Sequence, residues 1–315
     1  MNMIKTTKLP LIVAPMFLVS SPELVIASSE QGVIGSLPAP NARTPEILDQ
    51  WLAQISERLN PRQLPWLLNM IVHSTYDRFA AEIELVRKYQ PSVVSTALGS
   101  PTRVMEVVKG YGGEVIADVI TPAMAKKAVA AGVDGLILVV HGAGGHTGLY
   151  NPLAFIQEVR EFWEGPLGVA GCVSHGRDIL AMQVAGADFV VSGTRFIAAS
   201  ESFASADYKQ MLVDSHIEDI VESKAVSGVA ANWMRASLER AQIDPKAESK
   251  AQIDFSGNIS SANKAWKDVW SAGQGAGSIH QVQSAAEILA GMQREYRHAL
   301  AQFNQFSTEY LKHDG

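Results

Sequence analysis

The chain places histidines and glycines together directly after the apolar run "GLILVV" (135–140), in the segment "HGAGGHTG" (141–148). A short, continuous run of branched apolar residues is typical of a buried strand. Glycine then permits turns and close approaches that a side chain would obstruct. His146 therefore lies on a loop at the carboxyl end of a predicted strand. Because the ordinary pKa of histidine suits proton transfer near neutral pH, His146 is a candidate general base; the alternative is a surface histidine without a role.

Two further predicted strands end in glycine-containing loops that suit an anion, "AGCVSHG" (170–176) and "SGTRF" (192–196). Glycine exposes backbone N–H groups, and each loop leads into a predicted helix whose amino-terminal end favours negative charge. In a barrel of parallel strands, the loops after the seventh and eighth strands commonly hold a phosphate. The two loops predict a phosphorylated ligand near Gly171 and Gly193, with Thr194 as a hydroxyl donor.

Polar residues interrupt two of the predicted strands. Asn69 lies within "WLLNMIV" (66–72), and Asp118 lies within "EVIADVI" (114–120). A buried carboxylate is costly unless it is paired, so Asp118 should have a hydrogen-bond donor on a ligand or a loop. Asn69 either contacts the ligand or is an amide satisfied by neighbouring backbone.

Other catalytic chemistries find little support in the sequence. Cys172 is the only cysteine, so no internal disulfide forms, and it is interpreted as a small residue of the phosphate loop rather than a nucleophile. The eight histidines show none of the spacings typical of metal ligands, and we expect no metal site.

Short apolar runs followed by helical patterns recur along the first 200 residues and supply the elements that would position these side chains. Eight such units predict an α/β fold, a TIM (β/α)8 barrel with an additional helical segment after strand 8. A doubly wound open sheet is the alternative. The predicted organisation is a barrel over 1–200, a helical insertion or lid over 201–270, and a loop with a closing helix over 271–315; a small second domain is the alternative for the remainder. The predicted strands cover 11–16, 32–36, 66–72, 92–98, 114–120, 135–140, 167–171 and 188–193.

Composition excludes several classes of partner. The 315 residues carry a formal net charge of −6 and no long basic block, which argues against nucleic acid. The apolar amino-terminal run "LPLIVAPMFLV" contains Pro10 and Pro15, which favour a first buried strand over a signal peptide. No stretch approaches the roughly 20 apolar residues of a membrane span. We expect a cytoplasmic protein without membrane contact.

These motifs resemble those of the nitronate monooxygenase (formerly 2-nitropropane dioxygenase) family, which are FMN-dependent TIM barrels. The resemblance spans nearly the whole chain. The matching pieces are "APM" (14–16), Asn69, "AGGHTG" (143–148), "VAGCVSHGRDILAMQVAGADFVVSGTRFIAASES" (169–202), "SGVAANWMRASL" (227–238) and "WSAGQGAGSI" (270–279).

The resemblance implies FMN as the cofactor and His146 as the catalytic residue. It implies a phosphate held by Gly171, Cys172, Gly193 and Thr194. It also implies a flavin site formed by Ala14, Pro15, Met16, Asn69, Gly144, Gly145 and Gly275. Asp118, a polar residue within a predicted strand, is assigned to the same cofactor site. The implied reaction oxidises a small-molecule nitronate with O2 to a carbonyl compound and nitrite. The alternatives are an FMN-dependent reductase that uses NAD(P)H, and a non-redox phosphosugar isomerase; a homodimer is left open.

The sequence departs from the family pattern at three places. Cys172 replaces the second glycine of a Gly-Gly pair, and residues 139–142 replace the usual Gln-Gly-x-Glu before Ala-Gly-Gly-His. Asp118 lies where some members have a lysine or a neutral residue. We therefore expect the flavin-binding backbone to be kept and the substrate pocket to be altered.

Overall fold

Eight parallel strands form a barrel that confirms the predicted TIM-type fold. The computed structural model describes residues 3–247 and 268–311. The strands of the described chain are β1 (Leu11–Val13), β2 (Gly35–Pro38), β3 (Trp66–Ile71), β4 (Val93–Ala97), β5 (Glu114–Val119), β6 (Gly135–Val139), β7 (Gly145–His146), β8 (Leu167–Ala170), β9 (Phe189–Ser192), β10 (Ile220–Ser223) and β11 (Ala231–Met234). All except β7, β10 and β11 belong to the barrel, in the order β1-β9-β8-β6-β5-β4-β3-β2.

The barrel closes between its first two strands. Ile12 and Ile34 form a parallel bridge, in which Val13 N donates to Ile34 O at 2.9 Å and Ile34 N donates to Leu11 O at 3.1 Å. Since every barrel strand runs in the same direction, all eight carboxyl ends lie at one end of the barrel, which is here called the mouth.

Helices surround the barrel, and several begin at residues that the sequence marks clearly. Thr44 accepts a hydrogen bond from Ile47 N and is followed by Pro45, a combination that starts a helix well. Ser21, Thr121 and Asn151 cap three other helices in the same way. The helices are α1 (Pro22–Glu30), α2 (Pro45–Leu59), α3 (Phe79–Tyr89), α4 (Thr102–Gly110), α5 (Pro122–Ala130), α6 (Pro152–Arg160), α7 (Gly176–Val184), α8 (Thr194–Ile197), α9 (Ala206–Val213), α10 (Arg235–Arg240) and α11 (Ala285–Leu311).

Strand alternation separates two apolar layers. The outer layer lies between the barrel and the helices and includes Leu68, Val94 and Leu136. The inner layer fills the barrel with the next side chains along the strands, as the period of two requires. Its buried strand residues are Ile12, Leu67, Val93, Ile116, Ile137, Phe189 and Val191.

The segment after β9 is only partly helical, and the strands within it were missed. The amphipathic stretch 206–223, predicted as helix, forms α9 only as far as Val213 and ends as β10. β10, β11 and β7 make a three-stranded antiparallel sheet. A two-residue strand such as β7 is too short to show a periodicity in sequence.

The lid expected within 201–270 stays a prediction, because residues 248–267 lie outside the described residues. The closing helix expected after residue 271 is confirmed as α11, which packs mainly against α7. Among the described helices, none combines the length and apolar character needed to cross a membrane.

Gly176 lets α11 approach the start of α7 at backbone contact. A Cβ at Gly176 would overlap Met292 O and lie 2.9 Å from Glu295 Cβ. We expect Gly176→Ala to lower the free energy of unfolding by about 2 to 3 kcal/mol, the usual cost of overpacking. Chemical denaturation of both proteins measures this difference.

Gly110→Ala is the matched control, because a Cβ at Gly110, the last residue of α4, meets nothing within 4 Å. This change should alter the free energy of unfolding by less than about 1 kcal/mol. Equal small effects of the two substitutions would contradict the packing assigned to Gly176.

Candidate active site

The inward-facing residues at the mouth divide into a polar side and an apolar side. They lie two residues beyond the inner layer, so their side chains point to the same interior. Ala14, Val139 and Ala170 pack on the apolar inner layer. Asn69, Ser95 and Asp118 lie on β3, β4 and β5 and form the polar side.

Asn69 links the polar side into one hydrogen-bonded chain. Its Nδ2 donates to Ser95 Oγ at 2.7 Å and to Asp118 Oδ2 at 3.3 Å. Asn69 and Ser95 are paired in the register of β3 and β4, and both are buried. The amide of Asn69 therefore has side-chain partners. One of the two sequence interpretations expected neighbouring backbone to satisfy it.

Asp118 is a carboxyl group with little to stabilise its charge. Burial raises its pKa to about 7, and the hydrogen bond from Asn69 opposes that rise. Near neutral pH the carboxyl group therefore holds its proton much of the time, unlike an ordinary aspartic acid.

Glycines of two loops pack backbone against backbone above the mouth. A Cβ at Gly144 would lie 2.8 Å from Gly273 N, and a Cβ at Gly273 would lie 2.7 Å from Gly142 O. Gln274 N also donates to Gly142 O at 3.0 Å. These contacts within the protein already require glycine at positions 144 and 273, whatever ligand the loops approach on their other side.

Hydroxyl groups fasten the 272–275 loop to the ends of β8 and β9. Gly273 N donates to Thr194 Oγ1 at 2.9 Å, and Ser174 Oγ donates to Gly275 O at 3.3 Å. A Cβ at Gly275 would overlap the Ser174 hydroxyl. The predicted residues Thr194 and Gly275 therefore lie at one site, and Thr194 retains its hydroxyl proton for donation.

The segment Ala14-Pro15-Met16 is held by Asn41, which sequence reasoning missed. Asn41 Nδ2 donates to Met16 O at 3.0 Å and to Ser20 O at 2.9 Å, while its Oδ1 accepts from Leu18 N at 2.8 Å. A buried asparagine in a proline-containing stretch carries no periodic signal. Gly193 lies against this segment, since its Cβ would be 3.2 Å from Ala14 Cβ.

One of the two expected anion sites is filled by the protein itself. At the start of α7, Ser174 N and His175 N each donate to Asp178 Oδ2 at 2.8 Å, and Gly176 N donates to Glu295 Oε2 at 2.7 Å. His175 also lies 3.3 Å from the Glu295 carboxylate. The amino terminus of α7, predicted to favour a phosphate, is thus occupied by carboxylates.

Backbone N–H groups at the ends of β8 and β9 are available to an anion. Within the described part of the chain, the N–H groups of Cys172, Gly193 and Thr194 form no hydrogen bond. β8 and β9 are neighbours, paired at Ala170 and Val191, so these groups follow adjacent strand ends. Gly171 has a φ of +133°, and a Cβ there would meet Val140 Cγ2 at 2.8 Å.

His146 projects from the mouth on β7, beside β11. Ala231 pairs with His146, and Asn232 Nδ2 fastens the preceding loop by donating to Ala143 O at 2.7 Å. The His146 side chain is exposed, yet the surrounding protein displaces water from the imidazole and lowers its pKa. The ring is therefore neutral near pH 7, the form that accepts a proton. Asn232 is a second positioning residue that sequence reasoning missed.

A cavity of about 460 Å³ lies beside the loop and is lined by His141, Leu149, Asn151, Pro152, Cys172 and Gln274. Cys172 has a φ of +58°, a left-handed conformation that favours glycine. Burial, and then Asp178, raises the pKa of its thiol, which is therefore protonated near neutral pH.

His141 lies 3.7 Å from Glu222 Oε2. Among the described residues, no cluster of side chains is able to hold a metal ion.

Known proteins resemble this chain in sequence and in fold. The sequence profile described as nitronate monooxygenase matches residues 1–295. The nitronate monooxygenase of Paraburkholderia phytofirmans is 26% identical to this chain, with 95% of each chain covered. A nitroalkane oxidase structure from Streptomyces ansochromogenes aligns with a TM-score of 0.83 at 23% identity, covering 96% of this chain and 100% of its own. FabK from Thermotoga maritima aligns with a TM-score of 0.78 at 22% identity, covering 97% of each chain. The two solved structures show the shared fold.

Asp118→Asn should make the ligand-free protein more resistant to unfolding at alkaline pH. The carboxyl group titrates near 3.8 when unfolded and about 7 when folded, so the stability of the native protein falls as pH rises between those values. The variant lacks this loss. Its free energy of unfolding relative to the native protein should increase by up to about 4 kcal/mol between pH 4 and pH 8.

Urea denaturation of both proteins at several pH values measures that difference. Glu82, whose pKa burial also raises to about 7, is present in both proteins and cancels. A difference that does not change with pH would contradict the burial of Asp118.

Proposed function

Because the chain belongs to the nitronate monooxygenase family, we propose that it is an FMN-dependent enzyme that oxidises alkyl nitronates with O2 to carbonyl compounds and nitrite. Neutral nitroalkanes are a second substrate class. The family is one of oxidoreductases. Support from this chain comes above all from one juxtaposition: the loop that carries the neutral His146 contacts the segment of Gly171 and Cys172, and it packs against the 272–275 loop that Thr194 fastens.

The residues at the mouth fit FMN. The N–H groups of Cys172, Gly193 and Thr194 would hold its phosphate, with the Thr194 hydroxyl as a further donor. Gly171, with its positive φ, belongs to the same cradle. The α7 amino terminus would take no part, since carboxylates fill it.

The flavin ring would lie over the inward-facing layer at the mouth. Ala14, Pro15 and Met16 would line one side of it, and Asn69 would meet its polar edge. Gly144 and Gly275 would let backbone approach it closely, as they already let the loops approach each other. Gly145, with a φ of +67°, would belong to the same stretch of backbone. When bound, FMN would supply the redox chemistry of the oxidation, which the side chains at the mouth cannot perform themselves.

His146 would act on the substrate in two ways. On a neutral nitroalkane, the unprotonated imidazole removes the proton from the carbon next to the nitro group. A nitronate has already lost that proton, and His146 then orients the anion. The lowered pKa keeps the imidazole in its accepting form at neutral pH.

A reductase that takes hydride from NAD(P)H and passes it to a quinone or an enoyl thioester is the second candidate. The cavity of about 460 Å³ beside Cys172 favours it, because that volume exceeds what a small nitroalkane needs.

Anaerobic mixing with NADH or NADPH separates the two functions. Rapid bleaching of the flavin would support the reductase, and nitrite release from propionate 3-nitronate or the 2-nitropropane anion would support the monooxygenase.

His146→Asn should bind FMN and lose turnover selectively. We expect turnover of a neutral nitroalkane to fall by about two to four orders of magnitude, the usual worth of a positioned acid–base group. Turnover of the preformed nitronate should fall less, because no proton has to be removed. Nitrite release measured with both substrates tests the difference.

His298→Asn, which changes an exposed histidine on α11, is the control and should leave both rates unchanged. If His146→Asn reduced both rates equally and slightly, His146 would be a loop residue without a catalytic role.

Gly193→Val should abolish FMN binding. Its Cβ would press on Ala14 Cβ at 3.2 Å and on Met16 Sδ at 3.4 Å, displacing the segment that lines the flavin and covering the Gly193 N–H. Quenching of FMN fluorescence measures binding, and circular dichroism checks the fold. Gly110→Val, in open space on α4, is the control that should retain the flavin. Stoichiometric flavin in Gly193→Val would place the phosphate elsewhere.

A further inference from the structure

Asp118 is the carboxyl group of the inward-facing layer at the mouth. Its strand neighbours β4 and β6 contribute no ionisable side chain, and Ile137 is its partner in the register of β6. Below it lies the apolar inner layer, represented on the same strand by Ile116. The carboxyl group therefore has apolar protein beneath it and the mouth above it.

The hydrogen bonds within the protein leave Asp118 incompletely satisfied. Its Oδ2 accepts from Asn69 Nδ2 at 3.3 Å, a longer bond than the 2.7 Å that the same nitrogen makes to Ser95. Among the described residues, Oδ1 has no hydrogen-bond partner, and no Lys or Arg pairs with the carboxylate. A carboxyl group in these surroundings is stable as the neutral acid, whose O–H then needs an acceptor.

We propose that Asp118 is a cofactor-binding residue whose protonated carboxyl group donates a hydrogen bond to an acceptor atom on the ring of the bound flavin. When the ring gains electrons, the carboxylate fraction of Asp118 takes a proton from solvent and becomes the acid. This inference rests on the proposed FMN cofactor. Asp118 takes up this proton when the flavin is reduced, and the proton remains bound to the protein until reoxidation.

Electrons and protons balance in this step. Two electrons from a reductant enter the flavin, and the flavin takes up its own proton. Asp118 takes up a second proton on its carboxylate oxygen, because the added electron density on the ring disfavours a neighbouring negative charge. Reoxidation releases both protons, so no net change remains on the protein.

Few other groups at the mouth could take up a proton near neutral pH when the flavin is reduced. The ionisable groups that follow the strands at this end of the barrel include His73, Arg103, His141, His146, Cys172 and Arg195. The thiol of Cys172 is protonated near neutral pH, because burial raises its pKa. Arg103 is tied to the carbonyl oxygens of Val72 and His73. The raised pKa of Asp118, caused by burial, places its titration near neutral pH.

The test uses the FMN-loaded full chain, native and Asp118→Asn, reduced anaerobically with dithionite in the presence of a reference dye. The dependence of the reduction potential on pH gives the number of protons taken up per two electrons. Above about pH 7, the native protein should take up about one proton more than Asp118→Asn, whereas below pH 6 the two should agree.

Ser95→Ala is the matched control, because it removes the other partner of Asn69 and leaves the carboxyl group in place. It should keep the extra proton. His146→Asn should keep it as well, which separates the two titrating groups.

An infrared difference spectrum of the native protein keeps the proposal testable if Asp118→Asn does not fold. Reduction should replace a carboxylate band with a carboxylic acid band. Equal proton uptake in native protein and variant, or no carboxylic band, overturns this inference while leaving the cofactor in place. Failure of the native chain to bind FMN would instead overturn the proposed function.

Discussion

Contact between two glycine loops at the mouth is the constraint on which the rest of the site depends. Gly144 and Gly273 touch through backbone atoms, and Gln274 N bonds to Gly142 O. No side chain fits between these segments, so their distance is set by the backbone itself. This contact joins the loop that carries His146 to the loop that Thr194 fastens at the end of β9.

The barrel could be predicted from sequence because its signals are local and repeated. Each strand is a short apolar run, and helices such as α2 begin at a capping residue followed by proline. The positions of Asn69 and Asp118 within strands were equally visible, since each breaks an apolar run. Their hydrogen bond was not, because it joins β3 to β5 across Ser95.

The features that sequence reasoning missed depend on contacts between distant segments. Asn41 holds the segment after β1, and Asn232 holds the loop before β7; each lies outside any periodic pattern. The filling of the α7 amino terminus by Glu295 involves a residue 119 positions away along the chain. A glycine before a helix predicts a place for an anion, but it does not reveal whether the protein's own carboxylate occupies that place.

Docking of the 272–275 loop and α11 also sets the order in which the site is built during synthesis. The eight barrel strands are all present by residue 192, but the mouth lacks its glycine contact until residue 274 has left the ribosome. The start of α7 gains the carboxylate of Glu295 only after residue 295 has been synthesised. Until then, Asp178 is the carboxylate at the start of α7. The site at the mouth is consequently completed only after all eight barrel strands have been synthesised.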